Sequence, residues 1–418
     1  MNQPININIT NLKPSATLVI NERSNDLVKA GKKVYKLGFG QSPFPVPKVV
    51  VQALKDNAHQ KDYLPVRGLF SLRAAVANYH QQKFEINCSA EDVLIGPGSK
   101  ELLFLTQMIY QGELLLPQPS WVSYEPQAHL ANKVHQWLTT KVENGYLLDG
   151  ETLDNYCQQA LNTPRILILN YPSNPTGSSL NKTQLENIVQ VARKHNILIL
   201  SDEIYGDVHH TGKHESIAKY YPEGTIVSSG LSKWCGAGGW RLGTFVFPKE
   251  LRWLLDKMAV VASETFTTTS APIQYAAVKA YEGGSEIEDY LTHSKLILKK
   301  IAQAASAILL QKNISHPNPE GGFYLMPNFN YYKARLNSKN IFTSHQLCER
   351  LLEKTGVALL PLSAFGMPEE FLGARLSYVD FDGQKALQMI KENPNARAES
   401  LAPQVIEGIQ LIGEWITK

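Results

Sequence analysis

Cysteine is scarce in this sequence: four in 418 residues, Cys88, Cys157, Cys235 and Cys348, far apart and in no CxxC or metal-ligand spacing. That excludes a disulfide framework and predicts buried thiols in a reducing compartment. An excess of one charge is missing too. Lys and Arg number 41 against 38 Asp and Glu, a formal balance of +3, so neither nucleic acid nor an anionic membrane is expected as the main partner. No apolar run approaches the roughly 20 residues that a bilayer span needs, and there is no repeat or low-complexity tract. The first ten residues, MNQPININIT, lack the basic and apolar regions of a secretory signal. What remains is an ordinary globular composition, 43% apolar and 19% charged. The expectation is a soluble, cytoplasmic protein, long enough for two domains.

The middle of the chain alternates short β-rich runs with helical patterns. Asp92–Ile95 reads as a strand, followed by a Gly/Pro turn. From Lys100 to Gln111, Leu102, Leu103, Leu105, Met108 and Ile109 then fall largely on one helical face. Arg165–Asn170 (RILILN) is continuously apolar, as strands buried on both faces of a parallel sheet are. Leu185, Ile188, Val189 and Ala192 repeat at helical spacing before the next strand, Asn196–Leu200 (NILIL). Thr225–Ser228 and Leu242–Phe247 read as two more. This alternation predicts an α/β architecture around a mostly parallel sheet. Both chain ends differ from it: an extended, Pro/Gly-punctuated start, and a C-terminal part mixing strands such as GGFYLM with helices, the last from about Ala402. The expected division is a large domain over 48–300 and a smaller α+β domain built from 1–47 and 301–418.

Four clusters sit at the ends of these strands, where α/β folds place ligands. Ser228–Gly243, SSGLSKWCGAGGWRLG, puts Lys233 in a loop of small residues with Arg241 eight positions on. Such a lysine can form a Schiff base, and the arginine can fork onto a phosphate. Gly96-Pro97-Gly98-Ser99-Lys100 opens a helix, so its exposed N–H groups either hold a phosphate or simply cap the turn. Asn170–Gly177 (NYPSNPTG) has two X-Pro bonds and a glycine, which aim Asn174. In Ser201–Tyr205 (SDEIY), Asp202 suits a protonated ring nitrogen or a helix N-cap, and Tyr205 a phenolic oxygen. His209, His210 and His214 lack a completing carboxylate or cysteine pattern, so no metal is assigned.

Together, NYPSNPTG, SDEIY and SSGLSK with Arg241 resemble the class I/II aminotransferases, the pyridoxal-phosphate (PLP) enzymes of fold type I. The likeness runs from LKPSATL near the start to ARLSY near the end, and several ordered motifs are far more specific than one. It implies that Lys233 carries PLP and shuttles the proton at Cα, while Asp202 keeps the pyridinium protonated. Asn174 and Tyr205 would bond the phenolic oxygen, and Trp121 would stack on the ring. Gly98, Ser99, Lys100, Ser232 and Arg241 would hold the phosphate. Gly230 departs from the pattern, since many relatives have serine there; Ser229 or Ser232 would have to compensate. Tyr63 resembles the tyrosine that reaches the phosphate from the other subunit, implying a homodimer with shared sites. Arg375 would grip the substrate α-carboxylate, and Gly40 would lie against the substrate. Phe323 and Tyr324 read as packing on a small-domain strand.

The implied reaction moves an amino group from an amino acid to a 2-oxo acid in two half-reactions. Lys100 and Lys13-Pro14-Ser15-Ala16-Thr17, with Ser15 near the pocket, resemble the prokaryotic aspartate aminotransferases and favour aspartate with 2-oxoglutarate. QSPFPVP and WCGAGGWR diverge from that subgroup. This leaves an aminotransferase for aromatic or other neutral amino acids, or a PLP-dependent β-lyase, as alternatives. A transcription regulator with an aminotransferase-like module is disfavoured, because only about 30 residues precede LGFG and the net charge is small.

Overall fold

The computed structural model describes residues 6–10, 12, 14–160 and 162–418. Seven strands form the central sheet: β1 (Val93–Gly96), β2 (Glu113–Gln118), β3 (His135–Thr139), β4 (Arg165–Asn170), β5 (Leu198–Asp202), β6 (Thr225–Gly230) and β7 (Gly243–Val246), in the order β1-β7-β6-β5-β4-β2-β3. Strands β3, β2, β4, β5 and β6 are parallel, and β7 runs antiparallel to both β6 and β1. Side chains alternate across the pleat. Ile166 and Ile168 of β4 pack with Leu102, Leu103, Leu254 and Met258 on one face, whereas Leu167 and Leu169 pack with Leu153, Leu185, Ile188 and Val189 on the other. Both faces are therefore covered, and RILILN needs no polar alternation.

The predicted strands of the central sheet appear within two residues of their expected limits, whereas GGFYLM is a strand only over Tyr324–Leu325. β5 starts at Leu198 because Asn196 adopts φ 53° and the Ile197 N–H bonds back to Ala192, ending the preceding helix. The strands β2 and β3 were not anticipated: ELLLPQ follows an equally apolar helix, and HQWLT is an edge strand with mixed exposure. The helix Lys182–Lys194 begins with a capping box between Asn181 and Gln184.

A second, three-stranded antiparallel sheet joins β8 (Tyr324–Leu325), β10 (Ala374–Ser377) and β9 (Leu360–Pro361) in the order β8-β10-β9. The N-terminal segment meets it directly. Tyr35 bridges Val357, and the Ser377 N–H donates to the Leu37 carbonyl. One 27-residue helix, Ser285–Gln311, connects the two regions, and the last helix, Pro403–Thr417, packs on it.

Register is what assembles the site. Asn170 at the end of β4 pairs with Asp202 at the end of β5, and Asp202 pairs with Ser228 of β6. Motifs separated by about 30 residues in the chain thus open onto one sheet edge. Among the described residues, no helix is long and apolar enough to cross a membrane. Cys157, Cys235 and Cys348 are buried free thiols, and Cys88 is half-buried.

Candidate active site

Beyond that sheet edge lies a cavity of about 560 Å³, lined by Gly40, Ser99, Lys100, Trp121, Asn174, Asp202, Tyr205, Ser232, Lys233, Arg241 and Arg375, with Ser15, Thr17 and Leu18 from the N-terminal segment. Except for Gly98, Ser229 and Tyr63, the described residues to which the sequence reading gave a cofactor or substrate role face it. Lys13 lies outside the described residues.

At one end stands the first turn of the helix Ser99–Ile109, whose free N–H groups and dipole suit an anion. Gly98 lies just behind this turn with φ 91°, and a Cβ there would overlap the Arg241 guanidinium. Gly243 of β7 is equally constrained, because its Cβ would overlap the Ser99 backbone nitrogen. These two glycines let the turn, the strand and the arginine converge, and Arg241 is fixed by donating to the Gly238 carbonyl at 3.0 Å. Ser232 faces the cavity, whereas Ser229 is buried outside its lining. At Gly230 an added Cβ would meet the Leu242 carbonyl oxygen at 2.6 Å, so a serine does not fit this backbone.

In the middle are an amine and a carboxylate. The Lys233 ammonium donates to the Gly40 carbonyl at 2.7 Å. Burial first, then the positive charge of Arg375, brings its pKa down to about 8, with Asp202 opposing. Asp202 is 4% exposed. Burial raises its carboxyl to about 6, although the Tyr124 hydroxyl donates to it at 2.7 Å and the Ser228 hydroxyl at 3.4 Å. Asn170 holds the loop, donating to the Asp202 carbonyl at 2.8 Å and accepting from the Asn174 N–H at 2.7 Å. Trp121 packs edge-on against Tyr124, with ring centroids 5.2 Å apart. The Lys100 ammonium lies 5.1 Å from the Trp121 ring centroid and is held below the ordinary lysine range by partial burial and Arg241.

The far end belongs to Arg375. It is 2% exposed, donates to Asn174 Oδ1 at 3.2 Å and to the Gly38 carbonyl at 2.6 Å, and leaves Nε without a partner. A buried guanidinium with an unused donor is poised for a carboxylate.

Tyr324 corrects the sequence reading. It is not only a packing residue, since its hydroxyl bonds the Tyr205 hydroxyl at 2.7 Å and its ring lies 4.8 Å from Arg375. A Cβ on Gly40 would overlap that hydroxyl. Tyr124 was also missed; its spacing of three from Trp121 marks one helical turn, a signal too common to read. The histidines settle elsewhere: His214 pairs with Glu203 at 2.9 Å, and His210 faces the Tyr378 hydroxyl at 3.2 Å. Tyr63 is 89% exposed and outside the cavity of its own chain.

The donor set fits a phosphorylated aldehyde cofactor: an anion cradle, then an amine of lowered basicity, then a carboxylate. Residues 32–380 match the family model described as aminotransferase class I and II. The chain is similar to an aspartate aminotransferase of Bacillus sp. (strain YM-2), 31% identical over 88% of this chain and 93% of that one. It is also similar to an asparagine–oxo-acid transaminase of Streptococcus mutans, at 30% identity over the same shares. The aspartate aminotransferase of Thermus thermophilus with maleate superposes with a TM-score of 0.84 at 25% identity, covering 98% of this chain and 100% of that one. Motifs, sheet topology and cavity therefore agree with these likenesses, and the chain belongs to the class I and II aminotransferases, PLP-dependent transaminases of fold type I.

Proposed function

We propose that this transaminase takes dicarboxylic substrates, aspartate with 2-oxoglutarate. The observation that carries this is a cation left over inside the cavity once Lys233, Arg241 and Arg375 have their roles: the Lys100 ammonium lies 5.1 Å from the Trp121 ring centroid, in a cavity that Ser15 and Thr17 also line. Arg375 and Lys100 together match two carboxylates on one substrate. The relatives named for aspartate support the same reading.

PLP, when bound, supplies an electron sink for the charge left at Cα after deprotonation. In this reading the rest falls to the chain. Arg375 orients the α-carboxylate and so aims the Cα–H bond. Lys233 takes up and returns the Cα proton, helped by a pKa of about 8. Asp202 would hold a protonated ring nitrogen by charge, while Asn174 and Tyr205 would donate to the phenolic oxygen. The Gly98–Lys100 backbone, Ser232 and Arg241 anchor the phosphate. Trp121 covers the ring, and Gly40 leaves room beside it.

The division into 48–300 and the two chain ends also belongs to this proposal, with the ends closing over the ligand. So does a homodimer in which the exposed Tyr63 reaches the partner's phosphate site, acting in the cytoplasm. A neutral-substrate transaminase is the second reading, favoured by Leu18, Phe39 and Gln41 in the lining.

Stopped-flow absorbance of the PLP-loaded enzyme with single amino acids, without oxo acid, decides between them. Rapid conversion of the cofactor band by aspartate or glutamate supports the dicarboxylate reading. Conversion by aromatic or other neutral amino acids alone overturns it and leaves the transaminase assignment standing.

A further inference from the structure

Away from the cavity, the short helix Tyr124–Leu130 carries Glu125 and His129 four residues apart, hence on one face. That face meets His135 at the start of the edge strand β3. Glu125 Oε1 and His135 Nε2 are 3.2 Å apart, the His129 and His135 ring centroids are 5.1 Å apart, and one ligand atom from each of the three residues lies within 4.8 Å of the others. Among the described residues this is the one group of three such side chains that converge. Around a tetrahedral ion with bonds of about 2.0–2.1 Å, neighbouring ligand atoms stand roughly 3.3 Å apart. The Glu–His separation already has that value.

We propose that Glu125, His129 and His135 form a binding site for a zinc-class divalent cation, distinct from the PLP site. Two imidazoles and one carboxylate suit Zn²⁺, Co²⁺ or Ni²⁺ and disfavour Mg²⁺ and Ca²⁺, which require oxygen ligands. The surroundings meet the other requirements of such a site. Trp137 Nε1 donates to Glu125 Oε1 at 3.5 Å and orients the carboxylate. The nearby Lys133 ammonium is tied down by the carbonyls of Tyr110 and, at 2.9 Å, Gly112. His129 is exposed and Glu125 and His135 are half-buried, which leaves the group open to an ion from solvent. An ion here ties the helix to β3. Because Tyr124, which bonds Asp202, begins the same helix, the site stiffens one wall of the active cavity from outside.

The test uses chelator-treated PLP holoenzyme. Co²⁺ is added and its d–d absorption followed at wavelengths beyond the cofactor band, and Zn²⁺ binding is measured by calorimetry. One Co²⁺ per chain with the intense bands of low coordination, displaced by Zn²⁺, is expected, with thermal unfolding moving upward as Zn²⁺ rises. His129→Ala, at an exposed position, should retain basal transaminase activity and lose tenfold or more in Zn²⁺ affinity. His135→Ala serves as a second variant with the same expectation. Absence of a saturable Co²⁺ spectrum, or Zn²⁺ affinity unchanged in both active variants, overturns the site.

Discussion

On the proposed reading the chemistry depends on the Lys233 amine, and the environment of that amine sets its pH range. Burial and the Arg375 charge lower its pKa from 10.5 to about 8. The neutral, reactive amine therefore persists down to about pH 8 instead of disappearing below 10.5. The unfolded chain takes up a proton between those values that the folded chain does not. This group alone thus disfavours folding as the pH falls through that window. The rate of PLP uptake by cofactor-free enzyme is expected to rise with pH around a midpoint near 8; a midpoint near 10.5 would show that the amine is not desolvated. Asp202 works in the opposite sense. It is charged above about pH 6, and Tyr124 supports the charged form. Removing the phenol by Tyr124→Phe withdraws a hydrogen bond to a charged group, worth about 1.5–3 kcal/mol, or about one to two pH units. The variant should release PLP at a higher pH on acidification, as equilibrium dialysis would detect; an unchanged profile would remove Tyr124 from the site's support.

Elements matter here through how closely they approach. Strand β7 and the turn before Ser99–Ile109 touch backbone to backbone at Gly243, and an added Cβ has no flexible neighbour to displace. Gly243→Ala is expected to push that turn off the phosphate position and weaken PLP binding by tenfold or more, read as a dissociation constant. Binding unchanged in a folded variant would place the phosphate elsewhere. The same crowding explains Gly230, where the strand pair β6–β7 leaves no space for the serine expected there from the family resemblance. Ser232, two residues further along the chain, faces the cavity instead.

At the scale of the whole molecule, Tyr63 is the informative residue: a large aromatic side chain, 89% exposed, in a chain whose cavity it does not line. With shared sites, Lys233→Ala and Tyr63→Ala chains are each inactive or impaired alone. A hybrid dimer of the two holds one complete site. Unfolding and co-refolding an equal mixture is expected to recover about a quarter of wild-type turnover, because half the dimers are hybrids with one of two sites intact. No recovery in a mixture shown to contain hybrids excludes sharing through Tyr63.

Much of this protein was readable in one dimension. Sheet strands with both faces buried are continuous apolar runs, and ligand loops at strand ends need glycine, proline and short polar residues in order, so RILILN, SDEIY and SSGLSK announced themselves. Lys233, Asp202, Asn174 and Arg241 could be named because each lies within such a loop. The strands β2 and β3 were hidden, one by its likeness to an adjoining apolar helix and the other by its place at the sheet edge. Tyr124 and Tyr324 were hidden for a different reason. Their roles depend on partners 78 and 119 residues away in the chain, Asp202 and Tyr205. Glu125, His129 and His135 are close in the chain, within ten residues, yet they converge only where the helix Tyr124–Leu130 packs beside β3. Local pattern encodes backbone conformation and burial, whereas which polar groups face one another across a cavity follows from strand order and register, and these exist only once the chain is folded.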